Sequence, residues 1–411
     1  MFVSVIFVIV AALIYVGFFA DYFFDRIKIP DSLILLLLGI LFGPIANMFW
    51  PHSIIAQIFN PDAFKSFADL MASLAIAVIM FETGMNLDVQ RVIKEAPRSF
   101  YYATAHYFTS AIFGGIFAAL LFHWDWTLAF TLGFLLGGTS AAIVITLGKR
   151  LGLDPKTQTL LELESTITNI YNVVFVLAFL QFILTPNPDW TVPVKSILSA
   201  FSVSIVFGIL VGYGWEKVLK NLGNKSYSYM LTFATLLLFY AIMQEFGGNG
   251  PLFALVFGMT LTNLHIVSPL RMVNMIQLHR EITFFVRVFF FVFLGVIFSP
   301  TVDLAVWAFA VLLSLASLGA RYVAAKFMDI SDPWRLAILL PRGLGEAVLS
   351  AIVFVALTSH GFSGAVVNIF LQAVSVTILW TNILGAFLVW KYLRDHPDTV
   401  EVTSPAPSPS Q

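Results

Sequence analysis

The sequence predicts an all-α integral membrane protein of about thirteen transmembrane helices, built as two inverted six-helix repeats joined by one further helix, with broken helices around a midplane site. Three observations lead there. First, 59% of the 411 residues are hydrophobic, only 11% are charged, and the mean hydropathy is +0.91. Soluble domains carry roughly 45–50% apolar and about 25% charged residues, so a chain of this composition finds its solvent in lipid. Second, basic residues cluster in alternate connections. Third, two spans seven apart share an interruption of their apolar run. The composition excludes soluble enzymes, nucleic-acid binders and secreted scaffolds. A net charge of −1 offers no global field to a polyanion. With no cysteine there are no disulfides, thiolate nucleophiles or cysteine-ligated metals.

The first span, Phe2–Phe19, lacks a basic n-region and a small-residue cleavage site, and reads as a retained helix rather than a signal peptide. Arg26 and Lys28 follow it. Pro30–Phe49 and Phe67–Thr83 are joined by a connection holding only Lys65; Arg91, Lys94 and Arg98 come next. Phe100–His123 and Trp126–Gly148 meet without a basic residue, and Lys149, Arg150 and Lys156 follow. Leu160–Leu184 and Ser196–Trp215 enclose only Lys195, before Lys217, Lys220 and Lys225. Tyr229–Glu245 and the short Pro251–Leu264 precede Arg271 and Arg280. Glu281–Phe298 and Val302–Ala320 precede Arg321, Lys326 and Arg335. Pro333–Leu357 and Phe362–Trp390 end at Lys391 and Arg394. This alternation sets the N-terminus outside and the C-terminus in the cytoplasm by the positive-inside rule. Residues 1–394 form one membrane unit, and the Pro- and Ser-rich residues 395–411 read as a short disordered cytoplasmic tail.

The fifth span contains Gly137-Gly138-Thr139-Ser140 and the twelfth Pro341-Arg342-Gly343-Leu344-Gly345. Paired interruptions of this kind point to broken helices around a midplane site. A charge at the bilayer centre costs at least ~2.5–3.5 kcal/mol, so ionisable residues within spans are the first functional candidates. They are Glu82, Glu162, Glu164, Glu245, Arg287, Arg342 and Glu346.

On the sixth span, Glu162, Ser165, Thr168, Asn169 and Asn172 fall at helical spacing and form one polar stripe, expected to face protein or a water-filled cavity. The bland alternative is helix–helix hydrogen bonding. Asn169 lies about ten residues from its cytoplasmic end, roughly 15 Å deep. Ser140 and Glu346 lie at similar depth. A buried arginine needs a carboxylate, and Glu164 is the expected partner of Arg342. Glu82 is either a cavity carboxylate or an interfacial one. His106 is the one histidine well inside a span and reads as packing. No histidine pair has metal-ligand spacing, and no nucleophile elbow or phosphate loop occurs, so neither enzyme activity nor a cofactor is expected.

Three stretches resemble the monovalent cation:proton antiporter superfamily, particularly its NhaP-like sodium/proton exchanger branch. Thr139-Ser140-Ala141-Ala142-Ile143-Val144 resembles a Thr-Asp-Pro-x-x-Val motif, Glu164-Ser165-Thr166-Ile167-Thr168-Asn169 a Glu-Ser-x-x-Asn-Asp motif, and Pro341-Arg342-Gly343 a Pro-Arg-Gly motif. Phe81–Asp88 is a weaker fourth match. The resemblance implies the NhaA/NapA-like antiporter fold, a homodimer with interleaved dimerisation and core subdomains, and alternating access at the crossing of the broken helices. It implies a cation held by Thr139, Ser140, Ser165, Thr168 and Asn169, with Glu164 and Arg342 as a structural ion pair. The usual ion-site aspartates are replaced by Ser140 and Asn169. Asparagine coordinates a cation through its carbonyl but carries no titrating proton. The proton then falls to Glu346, Glu162 or Glu82. Na⁺ or K⁺ and H⁺ are the expected substrates, and a plasma membrane the expected location. Two alternatives stand beside exchange: a transporter of the same fold moving another small solute without proton coupling, and a non-transporting membrane sensor.

Overall fold

A computed structural model describes residues 2–27, 31–51, 59, 61–86, 89–184, 191–222, 227–263, 269–298, 303–328, 330 and 332–396. Most of the expected tail, together with Lys28, Asp88 and Lys225, lies outside the described residues. Among the described residues the secondary structure is helical, with no strand. The helices are α1 (Phe2–Ile27), α2 (Asp31–Ile40), which runs through a π-helical turn (Leu41–Ile45) into α3 (Ala46–Phe49), α4 (Pro61–Met85), α5 (Val89–Phe122), α6 (Trp126–Leu135), α7 (Ala141–Arg150) and α8 (Pro155–Leu184). They continue with α9 (Thr191–Leu222), α10 (Ser228–Glu245), α11 (Gly250–Asn263), α12 (Pro269–Val296), α13 (Leu304–Phe327), α14 (Pro333–Ala337), α15 (Leu344–Ser359) and α16 (Gly364–Asp395). The described part of each expected span falls on one of these helices or on a consecutive pair, with the span ends Pro30, Leu264 and Val302 outside the described residues. Among the described residues, six stretches of helix are apolar and long enough to cross a bilayer, and five shorter apolar helices accompany them.

Both expected interruptions are present. The fifth span breaks into α6 and α7 at residues 136–140, and the twelfth into α14 and α15 at residues 338–343. Asp125 starts α6 cleanly: its carboxylate accepts from the Thr127 amide at 3.0 Å and from the Thr127 hydroxyl. Those two donors hold the Asp125 carboxyl below its usual range. The cap is therefore complete at neutral pH and is lost only as the pH falls through that lowered value.

Packing divides the helices into two groups. Helix α5 lies against α6, α8 and α13, and α13 lies against α14 and α16. On the other side α9 and α10 pack on α11, while α1 and α2 pack on α12. Helix α4 joins the groups, touching α11, α12 and α15. Without a hydrophobic drive between helices in lipid, close crossings rely on small residues. The α4–α11 crossing shows this. A methyl group on Gly84 would run into the Leu255 carbonyl, and one on Gly258 into the Phe81 carbonyl. Both obstacles are backbone and cannot rotate away. Gly84→Ala and Gly258→Ala should each destabilise by ~1–3 kcal/mol, read as a lower thermal midpoint in detergent. An unchanged midpoint for both would contradict this crossing.

Candidate functional site

The two interruptions meet at the centre of the molecule. The Ser140 amide donates to the Pro341 carbonyl at 2.9 Å, so the unwound segments lie side by side. Irregular backbone at membrane depth needs protein partners for its polar groups, and side chains supply them. Arg342 donates from Nε to the Leu136 carbonyl at 2.6 Å and from Nη2 to Ser317 Oγ at 2.9 Å. Asn382 Nδ2 donates to the Arg342 carbonyl at 2.9 Å. Gly343 is required by close approach, since a Cβ there would stand 2.6 Å from the Ser140 Cβ. Helices α7 and α15 point their N-termini at the crossing, and α6 and α14 their C-termini. The partial charges of the four ends thus offset one another.

Beside the crossing lies a fully buried ionic cluster. Arg321 of α13 grips Glu164 of α8 with Nη1–Oε1 at 2.7 Å and Nη2–Oε2 at 3.2 Å, while its Nε donates to the Leu336 carbonyl at 3.0 Å. Thr139 Oγ1 donates to the same Oε1 at 2.9 Å, and His106 Nε2 stands 2.8 Å from it. The Arg321 guanidinium also lies 5.4 Å from the Tyr102 ring centre. The expected partnership of Glu164 with Arg342 is thereby corrected: Glu164 pairs with Arg321, and Arg342 braces the unwound backbone. Arg321 was expected in a connection, but α13 continues past it to Phe327 and buries it completely. Ser314, Ser317 and Arg321, at i, i+3 and i+7, were the signal that this face points inward. His106 is a contact of the ion pair rather than plain packing. Tyr102, one turn before it, shares its face.

A cavity of about 570 Å³ reaches the crossing from one end. Its walls include Thr159, Glu162, Thr166 and Asn169 of α8 and Arg280, Thr283 and Arg287 of α12, and its floor includes Ser140 and Gly345. From Thr159 to Asn169 it runs roughly 15 Å along α8. The expected α8 stripe divides here. Glu162 and Asn169 face the cavity, whereas Ser165, Thr168 and Asn172 are buried. Thr168 donates to the Ser165 carbonyl of its own helix at 3.1 Å. Glu82 also lines the cavity and accepts from Thr283 Oγ1 at 2.9 Å. Glu346 is buried in the first turn of α15, where its Oε2 accepts from the Gly343 amide at 2.9 Å and its Oε1 from Asn172 Nδ2 at 3.3 Å.

These features, a crossing of two broken helices, a buried arginine–carboxylate pair and a cavity ending on hydroxyl and amide groups, define an integral membrane protein of the broken-helix type. A model of the family described as sodium/hydrogen exchanger, transmembrane, matches residues 8–391, and the chain belongs to that family. Among curated relatives it is similar to the K⁺/H⁺ antiporter NhaP2 of Shewanella sp. strain ANA-3, with 27% identity over 81% of this chain and 58% of the relative. It is also similar to sodium/hydrogen exchanger 8 of Arabidopsis thaliana, with 26% identity over 58% of this chain and 32% of the relative. The chain thus spans about a third to three-fifths of the length of these relatives. The fold matches that of the sodium proton antiporter MjNhaP1 from Methanocaldococcus jannaschii, with a TM-score of 0.77 at 19% identity over 96% of this chain and all of that one.

Removing one partner of a buried ion pair strands the other at a cost of ~3–5 kcal/mol. Arg321→Met should therefore lower the thermal midpoint sharply. Combining it with Glu164→Leu should recover part of the loss. A double variant worse than the sum of the singles would contradict the pairing.

Proposed function

We propose that this chain exchanges Na⁺ or K⁺ for H⁺ across a membrane by alternating access. The observation that carries the reading is the cavity that ends at Ser140 and Asn169, beside the crossing of the broken helices. Ser140 and Asn169, on the cavity floor, meet the cation first, with Thr139, Ser165 and Thr168 buried beside them. Glu346, Glu162 and Glu82 are the candidate proton carriers, Glu162 and Glu82 in the cavity wall and Glu346 buried beside the crossing. Glu164 is committed to Arg321 and serves structure. Relatives named for Na⁺/H⁺ and K⁺/H⁺ exchange support the same reading.

The group of α5, α6, α8 and α13 to α16 is the moving core, and α9 to α11 with α1, α2 and α12 the scaffold through which two copies pair. The distribution of lysine and arginine supports an orientation with the C-terminus and the open cavity in the cytoplasm, and a plasma membrane is the proposed location. A transporter of organic anions would need an accessible guanidinium at the crossing. Arg342 is 1% exposed, with two of its nitrogens already donating. A sensor would not need a cavity that reaches Asn169.

In proteoliposomes, addition of Na⁺, K⁺ or Li⁺ should drive proton movement, and the cation with the lowest KM identifies the substrate. Ser140→Ala and Asn169→Ala should each raise that KM several-fold. Absence of cation-driven proton movement between about pH 6 and pH 9, where a buried carboxyl group titrates, would overturn the reading.

A further inference from the structure

The carboxylate at the crossing does not lie on the cavity floor. A second cavity of about 490 Å³ opens at the opposite end of the same helices, with Leu177 of α8, Ile352 of α15 and Ser73 of α4 in its wall. The first cavity ends at Asn169 and Gly345. The partition between them is eight residues of α8, about 12 Å at 1.5 Å per residue. Asn172 and Glu346 sit inside this partition, each 1% exposed.

We propose that the exchanged cation is held inside the partition, one helical turn beyond the floor, between the amide oxygen of Asn172 and the carboxylate of Glu346. Glu346 carries the proton that the cation displaces. This rests on the exchange reading above and selects one of its three carboxylates.

Four features support the assignment. The Asn172 Oδ1 is buried without a hydrogen-bond partner, and a buried acceptor left unpaired costs ~1–3 kcal/mol. The one bond from Asn172 to Glu346 is long, at 3.3 Å, and is given up easily. An amide has a donor edge and an acceptor edge. Turned one way it donates to the carboxylate, and turned by half a revolution it offers its oxygen to a cation beside that carboxylate. Room for the turn is provided by Gly138, where any Cβ would meet the Asn172 amide.

The exchange balances simply. As the cation arrives with water of its hydration shell, the O–H bond of the Glu346 carboxylic acid breaks and that water carries the proton back to the cavity. The carboxylate then faces the cation, and the local charge is unchanged. Burial between the cavities keeps the bound ion from both solutions until the core moves, which is the condition for coupled exchange rather than leak.

Glu346 also caps α15 through Gly343, so a purely structural role is the competing account. Glutamine at this third helical position caps as glutamate does, and Glu346→Gln therefore removes the titrating proton while keeping the cap. We expect Glu346→Gln to elute and melt like the wild type in detergent, to lose cation-driven proton flux in proteoliposomes at least tenfold at every pH, and to lose thermal stabilisation by the transported cation. Glu346→Asp should retain exchange with a shifted pH profile. Asn172→Ala should raise the cation KM at least tenfold. Wild-type flux in Glu346→Gln, or an unchanged KM in Asn172→Ala, would overturn the proposal and leave exchange standing. A wild type that shows neither flux nor cation stabilisation would overturn both.

Discussion

The Glu164–Arg321 pair is the interaction on which the centre of this protein depends. It joins α8 to α13 in a region with almost no access to water, where an unmatched charge is prohibitive. One oxygen of Glu164 meets Arg321, Thr139 and His106. The pair thus ties the far end of the unwound segment, at Thr139, to two helices that do not break. Arg321 reaches back to the Leu336 carbonyl at the end of α14. Both interruptions are therefore anchored to one ionic cluster. Arg342 completes the frame from the other side, spanning from Leu136 to Ser317. Two buried arginines hold two irregular segments, and the site residues inherit their positions from that frame.

Much of this was legible in the sequence. Apolar length and the alternation of basic connections marked where helices stand, and the glycine and proline clusters marked where two of them break. Glu164 and the cavity-facing Asn169 and Ser140 were recognisable as polar groups at a depth where polarity needs a reason. The pairing was not legible. Arg321 sits near the end of a span, where a basic residue is expected on topological grounds, and that expectation hid its inward direction. His106 was a lone histidine on an apolar helix, which is usually packing. Its role depends on α5 lying against α8, a contact between distant segments that no local spacing encodes. The α8 stripe was correctly placed along the helix but divided by rotation. One residue turns a side chain by about 100° and three by a net of about 60° the other way, enough to separate Asn169 in the cavity from Thr168 and Asn172 in the packing.

The replacement of the two family aspartates changes less than it first suggests. Ser140 keeps its place at the floor, with its amide bonded to Pro341, so the backbone of the crossing survives without the carboxylates. In the proposed site the charge lies in the first turn of α15 instead of on Ser140 and Asn169. There the Gly343 amide and the N-terminal end of the helix favour a carboxylate.

The thin partition between the two cavities has an electrical consequence. Water entering each cavity carries the potential of its own solution to the cavity floor. The membrane voltage then falls over about 12 Å of α8 rather than the ~30 Å of a bilayer core. The field at Asn172 and Glu346 is raised roughly 2.5-fold by that ratio. Moving one elementary charge through the full drop is worth ~2.3 kcal/mol per 100 mV, and here that work is concentrated into about two turns of helix. Small displacements of charge at this level thus have a disproportionate coupling to the membrane potential.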